Sequence, residues 1–239
     1  MREIQDASAG DVVRSGLFFR FKLPKVERSG APIVILIHGR AGNAEVMWVF
    51  EKAFAGLDPL FVAPQAFIED PIGGFSWFPH REKGVQVSIE ERTQDIKNML
   101  SKVEYFLEVL PEIFEFDSNK MFAAGFSQGA AVVSSVSLTN PKRFKGAALL
   151  SGFVPRIFDE QKELISPRLI KGECQLCPFF LFHGTSDEIL PIERADEAKA
   201  LLEKYGARVT LSTDDVGHKV SSKGTKALSA WVESELGGF

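Results

Sequence analysis

The segment Lys120-Met121-Phe122-Ala123-Ala124-Gly125-Phe126-Ser127-Gln128-Gly129-Ala130-Ala131-Val132-Val133 constrains this chain more than any other. Met121 to Ala124 is short and apolar, as a strand covered on both faces is. Gln128 to Leu138 is rich in small residues and reads as a helix. Between them, Gly125-Phe126-Ser127-Gln128-Gly129 fits Gly-x-Ser-x-Gly. A serine at the tip of such a strand-to-helix turn is held in a strained backbone conformation. The residues two places to either side must be small for strand and helix to pass closely. The helix start also aims free N–H groups at the serine, where negative charge can be stabilised. The string alone arises by chance; the strand before it and the helix after it are the context that gives it chemical meaning.

The rest of the chain repeats this alternation. Ser15 to Leu23 carries Leu17-Phe18-Phe19-Arg20-Phe21 and reads as an early strand at the sheet edge. Pro32 to Ile37 is β-branched and apolar, a central strand. Asn43 to Ala55 has helical spacing, and Leu60 to Pro64 is a short buried strand. Asp70 to Gly84 is rich in glycine, proline and aromatics and has no period. Ser88 and Glu91 form a capping box before a helix whose apolar face runs from Ile89 to Leu110, with Pro111 ending or perturbing it. Phe144 to Leu150 and Phe179 to His183 are further strands. Ile192 to Tyr205 is a helix stopped by Gly206, Ala207 to Ser212 a last strand, and Ser221 to Leu236 a terminal helix. No linker, repeat or low-complexity segment divides residues 1–239, so one α/β domain is expected, with a mostly parallel central sheet and helices on both faces.

In such sheets ligands sit beyond the carboxyl ends of the strands. The polar residues there are His38-Gly39-Arg40-Ala41-Gly42-Asn43, Ser127, Gly184-Thr185-Ser186-Asp187 and, a few residues after the last strand, His218. A serine, an acid, a histidine and a glycine-rich loop are the inventory for acyl transfer. Ser127 is the candidate nucleophile, His218 the base that activates it and Asp187 the acid that orients the base. Asp214, Asp215 and Glu188 are rivals to Asp187, which is favoured because it follows an independent strand behind small residues. The backbone N–H of Gln128, next after the nucleophile, is one expected oxyanion donor.

The order serine, acid, histidine is that of α/β-hydrolases. The chain resembles the phospholipase/carboxylesterase family of that fold, which includes acyl-protein thioesterases. The resemblance rests on Ile35 to Asn43, Ala63-Pro64-Gln65-Ala66, Ser76-Trp77-Phe78, Gly125 to Ala130, His183 to Pro191 and Gly217-His218. It implies a second oxyanion donor in the Arg40 N–H. It leaves His38 and His183 non-catalytic, bonding backbone behind the site. Two positions depart from the family pattern. Pro79-His80 stands where an aspartate is usual, and Arg40 where an apolar residue is usual. The Asp70 to Gly84 loop, with Phe67 and Phe75 nearby and with Trp77, Phe78 and His80 as candidate substrate contacts, is the expected acyl- or leaving-group pocket. Phe153 to Gln175 is the only other stretch long enough to shield it. The Arg40 side chain is read as turned to solvent.

The expected activity is hydrolysis of small to medium carboxylic esters or thioesters. Lysophospholipase and acyl-protein thioesterase are alternatives, and a non-catalytic binding protein on the same fold is a more distant one. No cofactor or metal is implied. The substrate is a small-molecule or lipid ester, and a homodimer is left open. A net charge of −4 argues against nucleic-acid binding. The chain has no apolar run of about 18 residues and no leader-like start, so no integral membrane segment is expected and the cytoplasm is the default compartment. Cys174 and Cys177 read as two thiols in a loop, with a loop disulfide as the alternative.

Overall fold

The computed structural model describes residues 3–26, 30–81 and 85–236. Strands β1 (Gln5–Asp6), β2 (Phe19–Lys22), β3 (Ile33–Ile37), β4 (Leu60–Pro64), β5 (Ile68–Glu69), β6 (Phe75–Ser76), β7 (Met121–Phe126), β8 (Gly146–Leu150), β9 (Phe179–Gly184) and β10 (Val209–Asp214) are interspersed with helices. These are α1 (Ala9–Ser15), α2 (Ile89–Ile113), α3 (Gln128–Thr139), α4 (Ile157–Glu160), α5 (Pro167–Ile170), α6 (Glu193–Lys204) and α7 (Ser222–Trp231). An 8-stranded sheet runs β1-β2-β4-β3-β7-β8-β9-β10. From β4 to β10 every pairing is parallel, while β2 lies antiparallel to β4 and β1 to β2. This is the expected α/β-hydrolase arrangement. It brings the carboxyl ends of β3, β7, β9 and β10 to one edge.

Alternation along β3 divides the core in two. Ile33, Ile35 and Ile37 belong to the layer that also holds Met99, Val103 and Phe106 of α2, Val132 and Val136 of α3 and Leu202 of α6. Val34 and Leu36 face the other layer, against Phe50 and Phe54 of segment Val46–Leu57 and Leu228 and Trp231 of α7. Helix α3 is buried from Gln128 to Leu138. Its serines fit that setting because Ser134, Ser135 and Ser137 turn their hydroxyls back onto carbonyls of the preceding turn.

Three local expectations differ from what forms. The early strand is confined to Phe19–Lys22 and is not the edge, which β1 occupies. Its first residue, Ser15, belongs instead to α1, which begins with a Ser8–Asp11 capping box and is capped by Gly16, φ 75°. Val46–Leu57 winds as a 3₁₀-helix, not an α-helix. Its buried residues Met47, Phe50 and Ala53 recur every third position, the 3₁₀ repeat. Helix α2 starts at the Ser88–Glu91 box as expected, yet carries Pro111 inside its last turn and ends at Ile113. Asp70 to Gly84 holds the turn and the second strand of the β5–β6 hairpin, with residues 82–84 outside the described set. Among the described residues no helix is long and apolar enough to cross a membrane.

Candidate active site

Ser127 sits between β7 and α3 at φ 52°, ψ −115°. Such a conformation costs a side-chain-bearing residue about 1–3 kcal/mol and survives only where the surroundings dictate it. They do so here. The Ser127 N–H is tied to Leu150 O at 2.9 Å, and the Ser127 carbonyl accepts Ala130 N–H at 3.0 Å. A Cβ at Gly125 would lie 2.2 Å from Gly129 O, and one at Gly129 would lie 2.2 Å from Ile37 O. The two glycines therefore let the helix start press against β7 and β3, which lifts the Ser127 hydroxyl above the sheet edge.

The residues from three strand ends meet at that hydroxyl. His218 Nε2 lies 2.9 Å from Ser127 Oγ. His218 Nδ1 lies 2.7 Å from Asp187 Oδ2. The other Asp187 oxygen, Oδ1, accepts the N–H groups of Ile189 and Leu190, both at 2.9 Å. Burial acts against the Asp187 charge, but the Leu190 N–H, the His218 ring and the Ile189 N–H outweigh it, so its carboxyl stays below its usual range. The rivals lie elsewhere: Glu188 is exposed, Asp214 is near Lys223, and Asp215 accepts the Ser186 hydroxyl.

The loop after β3 forms the second side of the site. His38 is fully buried beneath it. Its Nε2 accepts Ala66 N–H at 3.0 Å, so the ring proton is on Nδ1, which donates to Gly39 O at 2.6 Å. His183 donates in the same supporting manner, to Leu190 O at 2.8 Å. Among the described residues neither the Arg40 N–H nor the Gln128 N–H has an acceptor. The Arg40 side chain is not turned free to solvent. It grips Asp70 in a two-pronged pair, Nε to Oδ2 at 2.8 Å and Nη2 to Oδ1 at 3.1 Å.

Burial lowers the His38 pKa from 6.5 to about 4, against the raising effect of the Gly39 carbonyl. An unfolded chain binds a proton at this histidine below pH 6.5, and the folded one does so only near 4. Stability is therefore fully present above pH 6.5 and falls as pH drops toward 4, by on the order of 3 kcal/mol in total. Urea unfolding at pH 7 and pH 5 separates this loss from most carboxylate titration. The midpoint should fall at pH 5, and an unchanged midpoint contradicts a buried neutral imidazole.

Ser127 and His218 open onto a cavity of about 850 Å³. One wall is Phe78, Pro79, His80 and Arg81, as expected of the aromatic loop, with Ile72 from the hairpin turn. A second wall is Val46, Met47, Val49 and Phe50, and Phe126, Phe153, Ile189, Leu190 and Val220 complete the apolar lining. Arg40 and Lys219 also line it, and no carboxylate is among the described lining residues. Trp77 differs from its expected place. It is fully buried behind the wall, donating from Nε1 to His38 O at 2.9 Å. The Gln128 side chain fixes that wall, accepting Trp77 N–H at 2.8 Å and donating to Phe78 O at 2.9 Å.

The Val46–Phe50 wall was missed because its apolar residues read as an ordinary helix face. The available signal was position: a segment entering directly from the Gly39–Asn43 loop has to begin over the end of β3. Cys174 and Cys177 are unbridged, and burial pushes the Cys177 thiol up to about 12. No group of metal ligands occurs among the described residues.

A serine hydroxyl, an imidazole and a carboxylate in series, beside two free N–H groups, have the components for acyl transfer. Comparison with known proteins agrees in class. The sequence model of the phospholipase/carboxylesterase family matches residues 24–235. Carboxylesterase SOBER1 of Arabidopsis thaliana is 27% identical over 165 residues, 68% of this chain and 69% of that protein. Acyl-protein thioesterase 1 of Kluyveromyces lactis is 28% identical over 193 residues, 72% of this chain and 77% of its own length. In fold, the chain is similar to the crystal structure of the Bacillus cereus carboxylesterase, with a TM-score of 0.76 at 21% identity, covering 94% of this chain and 97% of that one.

Proposed function

Because the chain belongs to the phospholipase/carboxylesterase family and is a hydrolase of that family, we propose that it cleaves small to medium carboxylic esters or thioesters through an acyl-enzyme on Ser127. The observation that carries this is the hydrogen-bond series Ser127–His218–Asp187 at the edge of an apolar cavity.

In the first half-reaction His218 Nε2 takes the Ser127 hydroxyl proton as Oγ bonds to the substrate carbonyl carbon. The carbonyl π pair moves onto oxygen, where the Arg40 and Gln128 N–H groups stabilise it. Asp187 keeps the His218 Nδ1 proton directed at itself and stabilises the imidazolium. Collapse breaks the bond to the leaving alcohol or thiol, which takes the proton from His218. Water repeats the sequence, releasing the acid and restoring Ser127. A purely binding protein has no use for a serine held at φ 52° against a histidine.

The test is a panel of p-nitrophenyl esters from acetyl to palmitoyl, with a butyryl thioester and a choline ester. Activity should peak at short to medium acyl chains, which the cavity lined by Phe78 and Val46 to Phe50 accommodates. The choline ester should be disfavoured, since Lys219 lines the cavity and no carboxylate is among the described lining residues. A maximum at palmitoyl, or a preference for the cationic ester, contradicts this substrate class.

A further inference from the structure

We propose that the Arg40–Asp70 pair is a positioning device for the oxyanion hole, fixing the loop whose Arg40 N–H meets the developing negative charge. The proposal rests on the acyl-enzyme reading above.

Asp70 stands at the start of the β5–β6 turn with its side chain 1% exposed. It accepts from Arg40 twice, from the Ser76 hydroxyl at 2.7 Å and from Ile72 N–H at 3.2 Å. The bonds from Arg40 outweigh the effect of burial and, with those from Ser76 and Ile72, hold the Asp70 carboxyl well below its usual range. Ser76 extends the connection, since its oxygen lies 3.4 Å from Ala41 N. The hairpin also docks directly on the loop, with Phe75 N–H on Gly42 O at 2.8 Å.

The loop needs holding. Ala41 has φ 56°, a left-handed conformation that a residue with a side chain leaves unless its neighbours prevent it. Gly74 allows the hairpin to approach, as a Cβ there would lie 2.2 Å from Ala41 O. The Arg40 N–H and side chain thus belong to one residue gripped from the hairpin side, with Ala41 strained beside it. Without the grip, Ala41 relaxes and the Arg40 N–H moves off its target. Shifts of about 1 Å in catalytic groups cost on the order of 100-fold. A buried ion pair is a poor source of stability but a good source of fixed geometry when it is bidentate. Lysine lacks the planar fork, which separates positioning from mere charge.

Steady-state kinetics on p-nitrophenyl butyrate for Arg40→Met, Arg40→Lys, Asp70→Asn and the Arg40→Met/Asp70→Asn double variant test this. We expect kcat to fall about ten- to a hundredfold in each single variant, with KM within about twofold. The double should lose no more than the worse single, because both remove one device. Affinity for a trifluoromethyl ketone, whose adduct places an oxyanion in the same position, should fall in step with kcat/KM. Should Asp70→Asn fail to fold, the Arg40 variants, whose side chain reaches the surface, carry the test. Full kcat in Arg40→Met, a loss confined to KM, losses that multiply in the double, or wild-type behaviour of Arg40→Lys beside an impaired Arg40→Met each overturn the proposal. Labelling of wild-type Ser127 by a fluorophosphonate separates the two readings. Labelling with an unimpaired Arg40→Met sinks only the positioning role, whereas no labelling sinks the acyl-enzyme itself.

Discussion

Ser127→Ala should lose hydrolysis of p-nitrophenyl butyrate by on the order of 10⁶-fold in kcat, with the fold intact. The loss is large because the proposed reaction has no second nucleophile. The Ser127 oxygen is the atom that bonds to substrate, and His218 Nε2 at 2.9 Å then has no proton to take from it. The fold should persist because the strain at this position belongs to the backbone. Alanine at φ 52° has the same Cβ as serine, so the Gly125 and Gly129 contacts that enforce the turn remain. Far-ultraviolet circular dichroism and a thermal midpoint close to wild type are the expected controls. Residual kcat within about 100-fold of wild type would remove Ser127 from the role.

The second large effect is expected for Asp187→Asn, a loss of about 10⁴-fold in kcat with little change in KM. The hydrogen bonds explain why so small a change matters. Oδ1 accepts the Ile189 and Leu190 N–H groups, so an asparagine must turn its carbonyl oxygen to them. Its amide NH₂ then faces His218 Nδ1 in place of the carboxylate oxygen now 2.7 Å away. A donor there forces Nδ1 to be the acceptor and puts the ring proton on Nε2. The imidazole is then in the tautomer that cannot take the Ser127 proton. Asp187→Ala leaves both N–H groups without their acceptor and so confounds catalysis with loop stability; asparagine is the cleaner probe. Activity of Asp187→Asn within tenfold of wild type would contradict the orienting role.

The parts that were legible in the sequence share a physical cause: local patterns strong enough to stand without tertiary context. The apolar runs Ile33–Ile37 and Phe179 to His183 can be only buried strands. The Ser88–Glu91 box is a helix start by its own hydrogen bonds. Ser127, Asp187 and His218 follow from strand ends, because a parallel sheet brings those ends to one edge. What was not legible depends on contacts between distant segments. Trp77 looks like a cleft aromatic until His38 O, Gln128 and the core around them claim it. The solvent-facing reading of Arg40 fails because Asp70, its partner, lies in a stretch without periodicity. Helix α1 is short and mostly exposed, so its signals were only its caps, Ser8 and Gly16.

The role of His38 joins these levels. Its ring supports Gly39 and Ala66, its carbonyl holds Trp77, and Trp77 lies directly before the cavity wall that Gln128 fixes. The acid sensitivity expected of the buried imidazole is therefore a sensitivity of the loop that carries Arg40, as well as of the fold.

The central claim is a covalent intermediate on Ser127, and intact-protein mass spectrometry after treatment with a fluorophosphonate ester tests it most directly. The account predicts one phosphonyl adduct per chain, located by digestion to the peptide holding Gly125-Phe126-Ser127-Gln128-Gly129, absent in Ser127→Ala, and formed at the rate at which esterase activity is lost. An active enzyme that takes up no adduct, or an adduct of equal yield on Ser127→Ala, would contradict it.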